Sequence, residues 1–146
     1  MGIKPPDVEE LSAIIVDTAF HIHKDLGPGL LESVYEVVMA KALSKRGLNV
    51  ERQKAVSFVF DEIQFDEGLR VDLLVNGSFV VELKSVEFLA AVHQKQLLTY
   101  LRLLNLPLGL LINFGAPTFK DGVKRIVNQH TLVANSQLRV NRGGQE

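Results

Sequence analysis

Leu11, Ile14, Ile15, Thr18, Ala19 and Ile22 recur at helical spacing through VEELSAIIVDTAFHIHKDLG, and Asp7 stands where an N-cap belongs. That spacing predicts a first helix over about residues 7 to 25, broken by Gly27-Pro28-Gly29. A second helix follows in LLESVYEVVMAKALSKRG, where Lys45 and Arg46 suit the negative end of the helix dipole and Gly47 is the stop. From Val50 the period changes to alternation. VERQKAVSFVF, GLRVDLL and FVVELKSV read as three strands of an antiparallel meander, separated by polar or glycine-containing turns. AAVHQKQLLTYLRLLN is helical again and ends before Pro107, and LGLLINFG is the nearly all-apolar run of a central strand covered on both faces.

The predicted order is α-α-β-β-β-α-β, an α/β chain. FKDGVKRIVNQ fits an edge strand or a short helix equally well. In HTLVANSQLRVNRGGQE, Val133, Leu138 and Val140 allow a small strand or hairpin, and the last residues look frayed. No chemistry is assigned there.

The strand pattern is broken at three positions. VDLLVNGSFVVELKS places Asp72, Glu82 and Lys84 among valines and leucines, and a buried ionised group without a partner costs several kcal/mol (roughly). Such groups are paired or hold a metal. Residues two apart on a strand share a face, so Glu82 and Lys84 stand side by side. Asp72 depends on the turn. With Asn76-Gly77-Ser78 as a three-residue loop, Val75 pairs with Phe79 and Asp72 falls opposite Glu82; with Asn76-Gly77 as a two-residue turn, Asp72 pairs with Val81 and faces away. Both registers suit the residues.

Composition adds bounds. The chain of 146 residues, 47% hydrophobic and 23% charged, fits one domain with a single core. Cysteine is absent, which removes disulfides, thiolate metal sites and cysteine nucleophiles. Residues 1–20 lack the pattern of a secretory signal, and the apolar runs fall short of a membrane span of about 20 residues, so a soluble cytoplasmic protein is expected. A net charge of −1, from 16 basic and 17 acidic residues, advertises no broad grip on duplex nucleic acid.

Facing carboxylates beside a lysine suit a magnesium site for phosphodiester hydrolysis, because hard oxygen ligands hold Mg²⁺ and a lysine offsets developing charge. The plainer alternative is a Lys84–Glu82 ion pair with Asp72 on a solvated strand end. Two helical motifs bear on the choice. Gly29-x-x-Glu32-x-x-Tyr35 and Gln96-x-x-x-Tyr100 each bring polar groups to one helix face, and with the strand charges they supply such groups from four elements. Other residues tempt less. His21 and His23 point to different faces, His93 lies near Gln96 but fits a surface role, and Gly27-Pro28-Gly29 lacks the lysine and serine of a nucleotide loop. Arg102 could line a phosphate path beside Tyr100.

Taken as a set, Gly29-x-x-Glu32-x-x-Tyr35, the Asp72 strand, Glu82-x-Lys84, Gln96-x-x-x-Tyr100 and GLLINFG resemble the small GxxExxY proteins of the PD-(D/E)XK nuclease superfamily, over about residues 8 to 128. The one departure is Val71 in place of the proline before the aspartate. The resemblance implies a restriction-endonuclease-like αβββαβ core, a central mixed sheet flanked by helices, with residues 129–146 as a C-terminal extension. It implies Asp72, Glu82 and Glu32 as ligands of Mg²⁺, with Mn²⁺ as substitute, and Lys84 as the catalytic lysine. It makes Gln96 and Tyr100 supports of the site that can touch substrate, and Tyr35 a packing or hydrogen-bonding residue behind it.

The function expected is a Mg²⁺-dependent nuclease acting on DNA or RNA. The alternative is a non-catalytic nuclease-like module that binds nucleic acid or a protein partner. A purely structural domain would leave Asp72, Glu82 and Lys84 scattered. A homodimer or protein partner stays open, since LGLLINF and the apolar helix faces fit an interface or a core.

Overall fold

A computed structural model describes residues 4–129. Helix α1 (Val8–Leu26) begins at Asp7, whose carboxylate accepts the Glu10 amide while Glu10 Oε1 accepts the Asp7 amide, each at 2.9 Å. Helix α2 (Glu32–Lys45) follows the glycine-containing break. Just beyond it, Arg46 donates to Asp17 Oδ2 and Thr18 Oγ1, both at 2.9 Å, and so ties the two helices together.

Strands β1 (Val50–Phe60), β2 (Ile63–Val75) and β3 (Phe79–Lys84) form the expected antiparallel meander. Helix α3 (Ala91–Leu104) then crosses over, so that β4 (Leu108–Asn113) lies parallel to β3. The segment that fitted either a helix or an edge strand forms both: one helical turn, α4 (Phe119–Gly122), leads into β5 (Val123–Val127) at the edge. The result is a mixed five-stranded sheet in the order β1-β2-β3-β4-β5, with helices on both faces.

Leu11 and Ile15 of α1 and Tyr35 and Met39 of α2 pack with Leu73, Val81 and Leu83 on one face. Leu97 and Leu101 of α3 pack with Leu74, Val80 and Leu111 on the other. Both faces of β4 are therefore covered and all six of its residues are buried, which makes LGLLIN core rather than an interface. Among the described residues, no helix is long and apolar enough to cross a membrane.

Two strand details differ from expectation or decide it. The hairpin β1–β2 is longer than the residues announce, with β2 starting at Ile63 instead of near Gly68. Its turn is only Asp61-Glu62, both at positive φ (52° and 65°), the geometry that suits the twist of a two-residue hairpin but that Asn-Gly or Asp-Gly usually signals. Between β2 and β3 the register is Val75 with Phe79 and Leu73 with Val81. That is the three-residue loop, which sets Asp72 opposite Glu82. Val133, Leu138, Val140 and the remainder of the C-terminal stretch lie outside the described residues.

The end of β4 anchors the loop after β3. Asn113 Oδ1 accepts the amides of Val86 and Gly115 at 3.0 Å, and its Nδ2 donates to Val86 O at 2.9 Å. Gly115 lies so close to this loop that a Cβ would stand 2.6 Å from Val86 N and nearer still to Val86 O. Backbone cannot yield there as a side-chain tip could. Gly115→Ala is expected to cost at least about 2 kcal/mol, the scale of overpacking, seen as a lowered Tm in thermal denaturation; an unchanged Tm would mean the loop moves freely.

Candidate active site

The β2–β3 ladder stops at the Leu73–Val81 pair, and side chains take over where it ends. Glu82 Oε2 accepts the Asp72 N–H at 2.9 Å, and Asp72 Oδ2 accepts the Leu83 N–H at 2.8 Å. Each carboxylate thus satisfies a backbone amide of the opposite strand, which holds the two acids face to face. On its other side β3 stays paired with β4, Glu82 beside Leu111 and Lys84 beside Asn113, so Glu82 is only 5% exposed. Alternation puts Lys84 on the face of Glu82. Asp72, Glu82 and Lys84 are gathered, and the scattered arrangement of a purely structural domain is not what forms.

Gathering acids has an electrostatic cost. Burial, reinforced by the Asp72 charge, pushes the Glu82 carboxyl up to about 8. Burial also raises Asp72, against the lowering pull of the Leu83 and Gln53 hydrogen bonds. Glu32, at the first position of α2, is raised by burial as well, with Lys84 opposing and Asp72 adding. Lys84 acts on all three carboxylates. Near neutral pH and without a cation, Glu82 keeps its proton.

The helical motifs take distinct places. Gln96 Nε2 donates to Tyr100 Oη at 3.1 Å, and the Tyr100 phenol is raised by burial and then by Glu82 and Asp72. Tyr100 is therefore the member of this pair that feels the acids directly, and exposed Gln96 acts through it. Gly29 takes φ +111°, a conformation other residues resist, and turns the chain toward Glu32. Tyr35, fully buried and stacked on Phe114 at 4.5 Å, donates to Gly27 O at 2.5 Å and accepts the Leu30 N–H at 3.2 Å. Ser85 Oγ, next after Lys84, donates to Leu30 O at 2.6 Å. The Gly–Glu–Tyr spacing thus holds the loop that presents Glu32. His93 Nδ1 accepts the Ala90 amide at 3.1 Å, closing the start of α3, and His23 donates into Ala116 O at 2.9 Å. Neither joins the acids.

Sequence reasoning missed a second layer. Gln53 Nε2 bridges two carboxylates, Glu36 Oε1 at 2.7 Å and Asp72 Oδ1 at 3.2 Å, and Arg52 Nε donates to Glu36 Oε2 at 3.0 Å. Gln53 does so from φ 47° inside β1, with its carbonyl accepting Arg70 at 2.7 Å. A left-handed glutamine in a strand costs of order 1–3 kcal/mol and persists only where its surroundings hold it. The available signal was the run Glu51-Arg52-Gln53-Lys54, four polar residues where a half-buried strand should alternate.

The donor chemistry suits a hard divalent cation, which needs only one or two carboxylates when water and substrate oxygens complete its shell. A closed three-carboxylate cage is not formed. Among the described residues, no group of three His, Cys, Asp or Glu stands close enough to hold an ion. Asp72 and Glu82 are the pair that fits.

Two outcomes follow from this geometry. Because Glu82 is raised from 4.5 to about 8 on folding, the stability linked to its proton is full below the lower value and is lost as pH rises through the upper one. Metal-free protein should lose Tm progressively from about pH 4.5 to about pH 8 and level off above, while Glu82→Gln lacks this loss and is the more stable at the alkaline end; parallel curves would contradict the buried acid. For Gln53→Gly, relief of the left-handed strain should leave Tm equal or higher while calorimetry shows several-fold weaker Mn²⁺ binding. A lower Tm with unaltered Mn²⁺ affinity would make Gln53 purely structural.

The chain matches the PD-(D/E)XK nuclease superfamily over residues 9–126, from the first turn of α1 into β5. No curated protein and no solved structure matches it. The matched span contains the Asp72 strand, Glu82-x-Lys84 and Gln96-x-x-x-Tyr100, the groups that the fold gathers. The chain belongs to the PD-(D/E)XK nuclease superfamily.

Proposed function

We propose that this chain, one domain over residues 1–146, is a cytoplasmic nuclease of the GxxExxY type that hydrolyses phosphodiester bonds of DNA or RNA with Mg²⁺, or Mn²⁺ in its place. The observation that carries the reading is the pair of reciprocal hydrogen bonds that fixes Asp72 and Glu82 on one face beside Lys84. The positive φ of Gly29, the position of Glu32 at the head of α2 and the Tyr35 bonds to the preceding loop support the GxxExxY assignment.

Asp72 and Glu82 would hold the ion, with Glu32 reaching it through water. When bound, the ion supplies Lewis-acid polarisation of a phosphoryl oxygen and a more acidic water. Lys84 orients the attacking water and offsets the negative charge that builds on the phosphoryl oxygens. Asp72 is held for its task at both oxygens, by Leu83 N–H and by Gln53. Tyr100, supported by Gln96, stands where its hydroxyl can meet a phosphate or a water near the acids.

The test is cleavage of end-labelled single- and double-stranded DNA and RNA in Mg²⁺ and in Mn²⁺. At least one substrate should be cut, and Asp72→Asn, Glu82→Gln and Lys84→Met should each slow cutting by about a hundredfold or more while remaining folded. Retained activity in all three would displace the site. Tight binding without cutting by the wild type would favour the non-catalytic module.

A further inference from the structure

The hairpin of β1 and β2 outruns the rest of the sheet. β3 pairs with β2 only from Leu73 to Val75, so residues 55–69 form a two-stranded arm beyond it. A ribbon of two strands is marginal in water unless another strand or a helix covers it. Val56 and Phe58 pack toward the α3 side of the core, and the Phe58 ring lies over Gly68 and stacks on Phe65 with centroids 5.1 Å apart. Val59, Phe60 and Ile63 stay 59%, 63% and 53% exposed. Large apolar side chains left together in water mark a contact surface.

The two edges of the arm differ. Along β2 three residues, Asp66-Glu67-Gly68, stand opposite Ser57 alone, and that irregularity with its two acids blunts the edge. Along β1 the run Ala55-Val56-Ser57-Phe58-Val59-Phe60 carries no charge, proline or glycine, and among the described residues it pairs with β2 only. As β1 is an outer strand, every second residue turns its N–H and C=O away from β2. An uncharged edge rich in valine and phenylalanine is a template for another strand.

We propose that this edge pairs antiparallel with the same edge of a second copy of the chain, across a twofold axis. Charge selects that occupant. The arm holds four of the chain's 17 acids, Asp61, Glu62, Asp66 and Glu67, and none of its 16 bases, while Arg52, Lys54 and Arg70 stand at its foot. Antiparallel pairing centred on AVSFVF sets the acidic tip, Asp61-Glu62, of each copy beside Arg52 and Lys54 of the other; parallel pairing would set like charges together. Lys54 is available for the exchange, since its present neighbour is the partly exposed Glu51, at 3.1 Å, a contact of small worth. Symmetry forms each contact twice, and Val59 and Phe60 leave water in the same step. The inference goes beyond the nuclease reading and does not depend on it, because Asp72, Glu82 and Lys84 take no part.

The experiment is sedimentation velocity from about 1 to about 100 µM protein, on wild type, Lys54→Glu, Glu62→Lys and the double variant, with far-UV circular dichroism of each checking the fold. Lysine takes the left-handed backbone at position 62, φ 65°, no worse than glutamate does. Wild type should sediment as two chains at the upper concentrations. Each single reversal should weaken the dimer by about tenfold or more, since it sets like charges together at two symmetric places. The double variant should regain the dimer, and so should an equimolar mixture of the two single variants, whose charges are complementary only between copies. A wild type that stays one chain throughout overturns the proposal and leaves the edge to residues 130–146 or to a different protein. A dimer indifferent to both reversals uses another face and overturns it too, as does one that neither the double variant nor the mixture restores.

Discussion

Two hydrogen bonds between β2 and β3, each from a backbone amide to the opposite strand's carboxylate, are the constraint around which the described fold is arranged. They finish a ladder that backbone pairing leaves at Leu73 and Val81, and they keep two acids together at a depth where acids would otherwise separate or leave for water. The register of the β2–β3 turn makes them possible, and the β4 ladder on the far side of β3 keeps Glu82 from swinging outward. A sheet buried on both faces could have used any apolar pair at this position. The pair it carries raises the Glu82 carboxyl to about 8 and costs stability as pH rises from about 4.5 toward that value, an expense that fits a group awaiting a cation.

Support for that pair comes from both sides. On the β1 side, strained Gln53 links Asp72 to the buried Glu36, whose own charge is met by Arg52. On the β3 side, Asn113, Ser85 and Tyr35 fix the loops that flank Lys84 and Glu32. The two halves use different chemistry for one purpose: a side-chain amide orients an acid, while hydroxyls and an asparagine replace the backbone pairing that loops lack.

Much of this was legible in the residues, where local rules and tertiary structure agree. Asp7 and the apolar stripe of α1 announced that helix within a residue at either end, and Asp72, Glu82 and Lys84 stood out because charge is costly in a buried strand. The register was not legible, since Asn76-Gly77 serves either turn and the choice is made by packing of Leu73, Val75 and Val81 in the core. The Asp61-Glu62 turn escaped because glutamate rarely takes positive φ, and the strands on either side, not the residue, impose it. Glu36 looks like any glutamate on a helix, and its partners Arg52 and Gln53 reach it from β1, Gln53 through a left-handed backbone. Such positions are where sequence rules yield to a site.

The most direct measurement is calorimetric titration of Mn²⁺ into wild type and Asp72→Asn at pH 7, run in two buffers of different ionisation enthalpy. With the Glu82 carboxyl near 8, binding should be saturable, should release about one proton per ion, and should vanish in the variant. Absent binding, or equal binding in both proteins, would contradict a cation site at the facing carboxylates and leave them as a structural network.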